Sequence, residues 1–174
     1  MKSRNIMALL IIMLLIVPVS YAADNNFKIP EAVKHVEIED DGSCVITEEI
    51  TYDINGSING TYRDIPITGN QSVTNISVET PGYYNSVEIL GDSNKTCIKV
   101  WLYNDKDKTE KVSNKKVKVI YKYTFNKALK VYNDVAELQY MSWGNEWDSE
   151  VDSLKTFIRI PGSSSECEYW NNPD

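Results

Sequence analysis

Glu48 is the residue with the clearest chemical potential, because it interrupts the apolar face of a predicted β-strand. The other inward positions of that strand are Cys44, Ile46, Ile50, Tyr52 and Ile54. A carboxylate on a buried face is costly unless it is paired and hydrogen-bonded. Arg63 is the only arginine nearby, and its planar guanidinium can hold a carboxylate with two hydrogen bonds. We predict a structural ion pair between Glu48 and Arg63 across a strand corner; a ligand-facing role is the alternative.

The sequence offers little for enzyme catalysis. His35 is the only histidine and lies in a predicted strand before an acidic turn, so no Ser–His–Asp triad is indicated. Glycoside hydrolysis needs two carboxylates at a set separation, and Glu48, Asp64, Asp134 and Glu137 are the candidates. Spacing along a chain does not predict distance across a fold. We therefore expect no catalytic residue and no cofactor.

Metal binding has a similarly weak signature. Asn104, Asp105 and Asp107 resemble the start of a calcium loop, but the glycine of the sharp bend and the glutamate at the twelfth position are missing. The sequence has no Cys-x-x-Cys spacing, the pattern that would indicate a structural zinc site. We predict a solvated charged loop at these positions and no metal site.

Three cysteines and five sequons are further candidate sites. Two of Cys44, Cys97 and Cys167 could form one disulfide in an oxidising compartment, in any of three pairings. Cys44 could instead be a buried free thiol, because it lies on the apolar face of its strand. The Asn-x-Ser/Thr sites are glycosylation candidates at Asn55, Asn59, Asn70, Asn75 and Asn94.

An aromatic cluster near the C-terminal end has two interpretations. Tyr140, Trp143 and Trp147 could form an exposed surface for partner proteins or sugars, since tryptophan combines apolar area with a polar edge. Most tryptophans of small domains lie in the core instead. The core interpretation is favoured, and an exposed binding surface is the alternative.

The first 22 residues predict export. Lys2 and Arg4 precede an apolar run from Ile6 to Val17, and small residues around Ala22 suit a cleavage site. We predict a signal peptide over residues 1–22, with an uncleaved N-terminal anchor as the alternative. Cleavage of the signal peptide would change the net charge from −7 to −9, because Lys2 and Arg4 are removed with it. Such an acidic chain is a poor candidate for nucleic-acid binding.

The remaining residues, 23–174, predict one extracytoplasmic domain of short strands. Runs of period two recur between turn signals, and no long run of period 3.6 is present. The clearest runs are 33–39, 44–54, 73–80, 83–90, 96–103, 116–125 and 154–161. We predict an all-β fold, an antiparallel β-sandwich of about eight or nine strands, with one short helical turn possible near residues 143–148.

Five short motifs occur in an order that resembles a known family. They are D-G-S-x-x-x-x-E (41–48), Y-R-D-I-P (62–66), D-x-A-E-L (134–138), G-x-x-W (144–147) and I-x-I-P (158–161). Together they resemble the N-terminal extracytoplasmic domain of a predicted-membrane-protein family, domain of unknown function 2207. The resemblance implies a β-sandwich outside the membrane and carries over no activity.

From these features we expect a noncatalytic, secreted or cell-surface domain that acts by binding or structural assembly. Its expected partners are envelope or surface proteins, including a membrane assembly, and no nucleic acid. The alternative is a carbohydrate-binding or carbohydrate-active surface protein that uses exposed tryptophans and acidic residues.

Overall fold

A computed structural model describes residues 26–144, 147 and 149–170 of the chain. Ten strands and one 3₁₀ helix, Ser164–Glu166, lie within these residues. The strands are β1 (Phe27–Ile38), β2 (Cys44–Ile54), β3 (Thr61–Pro66), β4 (Ser72–Glu79), β5 (Tyr84–Gly91), β6 (Lys95–Tyr103), β7 (Lys116–Asn126), β8 (Leu129–Val131), β9 (Ala136–Leu138) and β10 (Leu154–Arg159). The predicted signal peptide lies outside the described residues.

The strands form two main sheets and one small hairpin. A five-stranded sheet has the order β10-β1-β2-β7-β4, and a three-stranded sheet has the order β3-β6-β5. All neighbouring strands are antiparallel except β1 and β10, which are parallel. Strands β8 and β9 pair with each other alone.

A tight turn joins β1 to β2. Gly42 has a φ of +79°, a backbone conformation that glycine adopts at little cost. The Asp41 carboxylate accepts hydrogen bonds from the backbone N–H and the hydroxyl of Ser43, at 2.9 Å and 2.6 Å. This local bonding sets the register in which Lys34 lies opposite Glu48.

The core lies between the two main sheets, as the alternation predicts. Ile50 and Val119 of the larger sheet and Ile98 and Val100 of the smaller sheet are fully buried in one apolar cluster. The predicted all-β antiparallel fold is therefore confirmed, with ten strands rather than eight or nine. Across the described residues, no helix has both the length and the apolar character needed to cross a bilayer.

Two local predictions differ from the structure. The first is that the alternation in residues 154–161 turns Leu154, Ile158 and Ile160 inward. Leu154 and Ile158 of β10 face the core side of the sheet but are 36% and 51% exposed, because the three-stranded sheet is narrower than the sheet opposite. In the stretch where a helical turn was considered, Trp143, Gly144 and Trp147 are not helical, and residues 145, 146 and 148 lie outside the described residues.

Candidate functional site

The central feature of the molecule is a buried ionic cluster that joins the two main sheets. Glu48 on β2 lies directly between Lys34 on β1 and Tyr121 on β7 in the register of the larger sheet. Arg63 reaches the cluster from β3 of the smaller sheet. Because all of these side chains point inward from their strands, four strands contribute to one polar centre.

Glu48 accepts hydrogen bonds from two cations and two phenols. Its Oε1 atom accepts from Lys34 Nζ at 2.9 Å and from an Arg63 terminal nitrogen at 2.9 Å. Arg63 Nε donates to the other carboxylate oxygen, which makes the contact bidentate. The hydroxyls of Tyr123 and Tyr140 donate to Oε1 at 3.2 Å and 3.3 Å. The Glu48 side chain is 0% exposed.

The cluster carries one surplus positive charge, and aromatic rings surround it. Lys34 Nζ lies 5.4 Å from the ring centroid of Trp143 and 6.0 Å from that of Tyr140. Arg63 Cζ lies 5.4 Å from the centroid of Trp147. The two indoles stack on each other, with centroids 4.2 Å apart and an interplanar angle of 11°. The electron-rich faces of these rings stabilise the cations that Glu48 cannot neutralise alone.

Burial and charge act in opposite directions on these groups. Burial alone would raise the pKa of Glu48, but the charges of Arg63 and Lys34 outweigh it and hold that pKa well below its usual range. Burial, helped by the Arg63 charge and opposed by Glu48, lowers the pKa of Lys34. Burial also raises the pKa of the Tyr140 phenol, next to the Glu48 carboxylate. Glu48 and Arg63 are therefore ionised across the physiological pH range.

The structure brings Glu48 and Arg63 together between sheets and adds Lys34, which the sequence reasoning missed. The sequence contained a usable signal, because Lys34 is in phase with Ala32 and Val36 on the inward face of β1. A lysine in phase with two apolar residues predicts either a strand edge or a buried partner. Here the partner is Glu48, directly opposite on β2.

The aromatic candidates lie close to this cluster. Tyr140, Trp143 and Trp147 are half-buried and pack against the core. Other large apolar side chains are more exposed: Met141, next to Tyr140 in the chain, and residues of the β8–β9 hairpin, of β10 and of the C-terminal segment. Tyr140, Trp143 and Trp147 therefore cover the cluster with part of their surface and present the remainder to solvent.

All three cysteines are free thiols, so the disulfide considered from the sequence is not formed. The reason is geometric. Cys44 faces the core from β2, whereas Cys97 lies on β6 beside Asp64 of β3, on the outer side of the other sheet. Cys167 is exposed beyond the last strand.

Thiol reactivity provides a direct test of this arrangement. Burial raises the pKa of Cys44 and of Cys97 to about 11 in each case, which disfavours the reactive thiolate near neutral pH. We expect one thiol per chain, that of Cys167, to react with Ellman's reagent at pH 8, and all three to react after unfolding. A Cys167→Ser control should leave no fast-reacting thiol. Two or three fast-reacting thiols in the folded protein would contradict the structure.

The remaining candidate positions lie on the surface. The five sequon asparagines are all exposed. In the charged loop, the Asp105 carboxylate accepts hydrogen bonds from the backbone N–H groups of Thr109 and Glu110, at 3.1 Å and 2.7 Å. Those same bonds lower the pKa of Asp105. Asp105 thus organises its own loop by bonding to the backbone four and five residues further along the chain.

An open cleft of about 640 Å³ lies beside the cluster. Its lining includes Tyr62 and Asp64 of β3, Asp92 and Lys95 of the β5–β6 hairpin, and Trp147. Lys95 Nζ donates to Asp64 at 2.6 Å within this lining. The cleft combines aromatic and charged side chains, but Glu48 is not part of its lining.

Fold and site together define a β-sandwich domain whose sheets are tied by a buried ionic cluster. The chain belongs to a family of predicted membrane proteins: the profile of that family's N-terminal domain, DUF2207, matches residues 28–174. The resemblance inferred from the five sequence motifs is thereby confirmed.

Other comparisons add little. A comparison with curated proteins found no match. Among solved structures, a mutant two-domain M1 zinc metallopeptidase bound to L-tryptophan matches with 9% identity and a TM-score of 0.35. A mutant M1 zinc metallopeptidase from Deinococcus radiodurans, bound to a Tyr-Ser-Ala substrate, matches with 8% identity and a TM-score of 0.34. Each match covers 57% of this chain and 20% of the peptidase, so it carries no argument about activity.

Proposed function

We propose that the chain is a noncatalytic, extracytoplasmic domain that binds or assembles envelope or surface proteins. One observation carries this proposal. Strand β10 lies at the end of the five-stranded sheet and exposes apolar side chains on both faces, with Leu154, Phe157 and Ile158 at 36%, 53% and 51% exposure. Exposed apolar residues along a sheet edge are typical of a surface that another chain covers.

The ionic cluster supports the noncatalytic part of the proposal. Glu48 would be the natural acid or base, but each of its oxygens already accepts a hydrogen bond and its side chain is inaccessible to solvent. A general acid or base must reach the proton that it transfers. Glu48 instead ties β1, β2, β3 and β7 into one rigid frame.

Site-specific photo-crosslinking in cells that express the full chain tests the proposal. A benzophenone amino acid at position 158 should form an adduct of defined mass with another protein chain. The matched control is position 89 on β5, because Ile89 is an exposed isoleucine of the other sheet's edge strand. Absence of an adduct at 158 would contradict an assembly role. Hydrolysis of glycosidase, esterase or peptidase substrates that Glu48→Gln abolishes would contradict the noncatalytic assignment.

Glycan binding is a second candidate because of the cleft beside the cluster. Tyr62, Asp64 and Trp147 supply the combination of aromatic faces and hydrogen-bonding groups that sugars require. Trp147 also packs against the core and Arg63, so part of its ring is already covered and cannot contact a sugar. Protein assembly therefore has the broader support. A glycan array discriminates the two: an assembly domain should bind no glycan there.

A further inference from the structure

We propose that two copies of this chain pair through their β10 strands, antiparallel and centred on Thr156, to extend the five-stranded sheet across a two-fold axis. The inference rests on the proposed assembly function and names the partner as a second copy. Among the described residues, β10 has a neighbouring strand on one side only, β1. A sheet edge of this kind is a template for another strand.

The backbone of β10 presents hydrogen-bonding groups to that open side. The Ala32 N–H donates to the Ser153 carbonyl at 2.9 Å, which fixes the phase of the parallel ladder with β1. In this phase the backbone groups of the odd-numbered residues of β10 face β1. The N–H and C=O groups of Leu154, Thr156 and Ile158 therefore point away from the sheet.

Only one antiparallel register pairs the backbone groups of all three of these residues with those of the second copy. When Thr156 lies opposite Thr156 of the second copy, Leu154 lies opposite the second copy's Ile158, and the reverse pair follows by symmetry. Both apolar pairs then lie on the core side of the sheet, where these side chains are exposed in the single chain. Cross-strand apolar pairs of this kind stabilise a sheet.

Charge favours the same register. On the outer side of β10, Lys155 pairs with Glu31 at 3.4 Å and Arg159 pairs with Glu37 at 3.6 Å. These ion pairs with β1 offset part of the repulsion that an approaching strand would meet. A register centred on Phe157 would set Lys155 directly opposite Arg159, which is unfavourable. In the register centred on Thr156, each Lys155 instead lies opposite an aromatic ring, that of Phe157.

The centre of the proposed pair also holds an unsatisfied hydroxyl. Thr156 Oγ1 is buried and has no hydrogen-bond partner among the described residues. Such oxygens are uncommon, because an unpaired buried polar group is costly. Two facing threonines on one side of an antiparallel pair can bond to each other by rotation about χ1.

Strand β5, an edge strand of the smaller sheet that also exposes apolar side chains, is less complementary to itself. The Asp92 N–H donates to the Lys95 carbonyl in the β5–β6 hairpin at 3.0 Å, so odd-numbered residues of β5 face its open side. Pairing centred on Val87 would set Asn85 opposite Ile89, a polar residue against an apolar one. Pairing centred on Glu88 would set the Glu88 carboxylates of the two copies directly opposite each other. Of these two edge strands, β10 is therefore the one to which self-pairing is assigned.

Cysteine crosslinking in cells that express the full chain tests the register. A Thr156→Cys/Cys167→Ser variant should form a disulfide-linked dimer on mild oxidation, because opposing residues of such a pair lie within disulfide reach. Phe157→Cys/Cys167→Ser is the matched control, since position 157 is displaced from its symmetry mate along the strand. We expect at least about fivefold less dimer from the control. Equal yields, or no dimer from the first variant, would overturn the register.

A charge swap separates loss of pairing from loss of folding. In the position-156 crosslinking background, Ile158→Glu should lower the dimer yield about tenfold, because a carboxylate then faces Leu154. Adding Leu154→Lys to the same chain should restore the yield to within about twofold, since Lys and Glu then face each other across the two-fold axis. No restoration would overturn the pairing. Photo-crosslinking at 158 to a different protein, with no dimer at 156, would refute self-pairing and leave the assembly function standing.

Discussion

Glu48→Gln is expected to lower the free energy of unfolding by about 3–5 kcal/mol. The substitution keeps the size of the side chain but leaves Lys34 and Arg63 buried side by side without an anion. Neither cation can move into solvent without displacing the strands that carry them. Urea unfolding, followed by far-ultraviolet circular dichroism, would measure the change.

Glu49→Gln is the matched control for this experiment. Glu49 is the next residue on β2, faces outward and pairs with Lys118 at 2.7 Å in a partly exposed ion pair. Exposed pairs contribute about 0–1 kcal/mol, so the control should differ little from the natural chain. If the two variants lost similar amounts of stability, the cluster would not be the tie between the sheets that the structure indicates.

The same comparison has a defined pH dependence. The folded-state pKa of Glu48 is depressed, because the charges of Arg63 and Lys34 outweigh the effect of burial. The stability that this carboxylate contributes is therefore present above its unfolded pKa of about 4.3 and is lost as the pH falls toward the folded pKa. The gap in stability between the natural chain and Glu48→Gln should be constant above about pH 5 and narrow below it.

The β-sandwich could be predicted from the sequence because alternation is a local property. The inward residues of β2 and β7 follow from counting every second position, and Ile46, Ile50, Val119 and Tyr121 are each buried as that count requires. Glu48 was recognisable for the same reason, as a charge in phase with apolar neighbours. Arg63 could then be predicted as the partner of Glu48, because a buried carboxylate needs a cation.

Other features depend on how distant strands meet, and a local pattern does not contain that information. Leu154 and Ile158 alternate as buried residues do, yet the facing sheet does not extend over β10. The parallel pairing of β1 with β10 joins residues about 120 positions apart. The role of Trp143 and Trp147 was equally undetermined, because their burial depends on Lys34 and Arg63 beneath them.

The closed cluster and the open edge have complementary consequences for function. A centre whose charged groups are buried and hydrogen-bonded provides rigidity, and its Glu48 carboxylate is inaccessible to solvent. In the proposed assembly, the unpaired backbone of β10 provides recognition at the end of that sheet. Lys34 of β1 lies in the cluster, and β1 also pairs with β10, so the strands that Glu48 ties together hold the proposed binding edge in place. Loss of Glu48 should therefore weaken both folding and crosslinking through β10.

The two cations of the cluster should not be equivalent, and Arg63→Met is expected to cost about 2–4 kcal/mol. This change removes the bidentate contact to Glu48, which ties the two sheets together alongside the Thr61–Tyr121 hydrogen bond, and also removes the bond to the Asp64 carbonyl. Lys34→Met, in contrast, leaves the Glu48–Arg63 pair intact and removes the surplus positive charge. Its cost should be below about 1 kcal/mol, because a buried charge with one hydrogen bond is replaced by an apolar chain of similar length.

Urea unfolding of the two methionine variants, measured under the same conditions, gives the comparison directly. The natural chain should also gain stability as the pH rises through the lowered folded-state pKa of Lys34 toward the unfolded lysine pKa of about 10.4, since in that range the folded state has released a proton that the unfolded state still holds. Lys34→Met should lack this gain. Equal losses of stability from Arg63→Met and Lys34→Met would contradict this prediction. The two cations would then contribute equally to holding the sheets together, and Lys34 would not be a surplus charge that the aromatic rings offset.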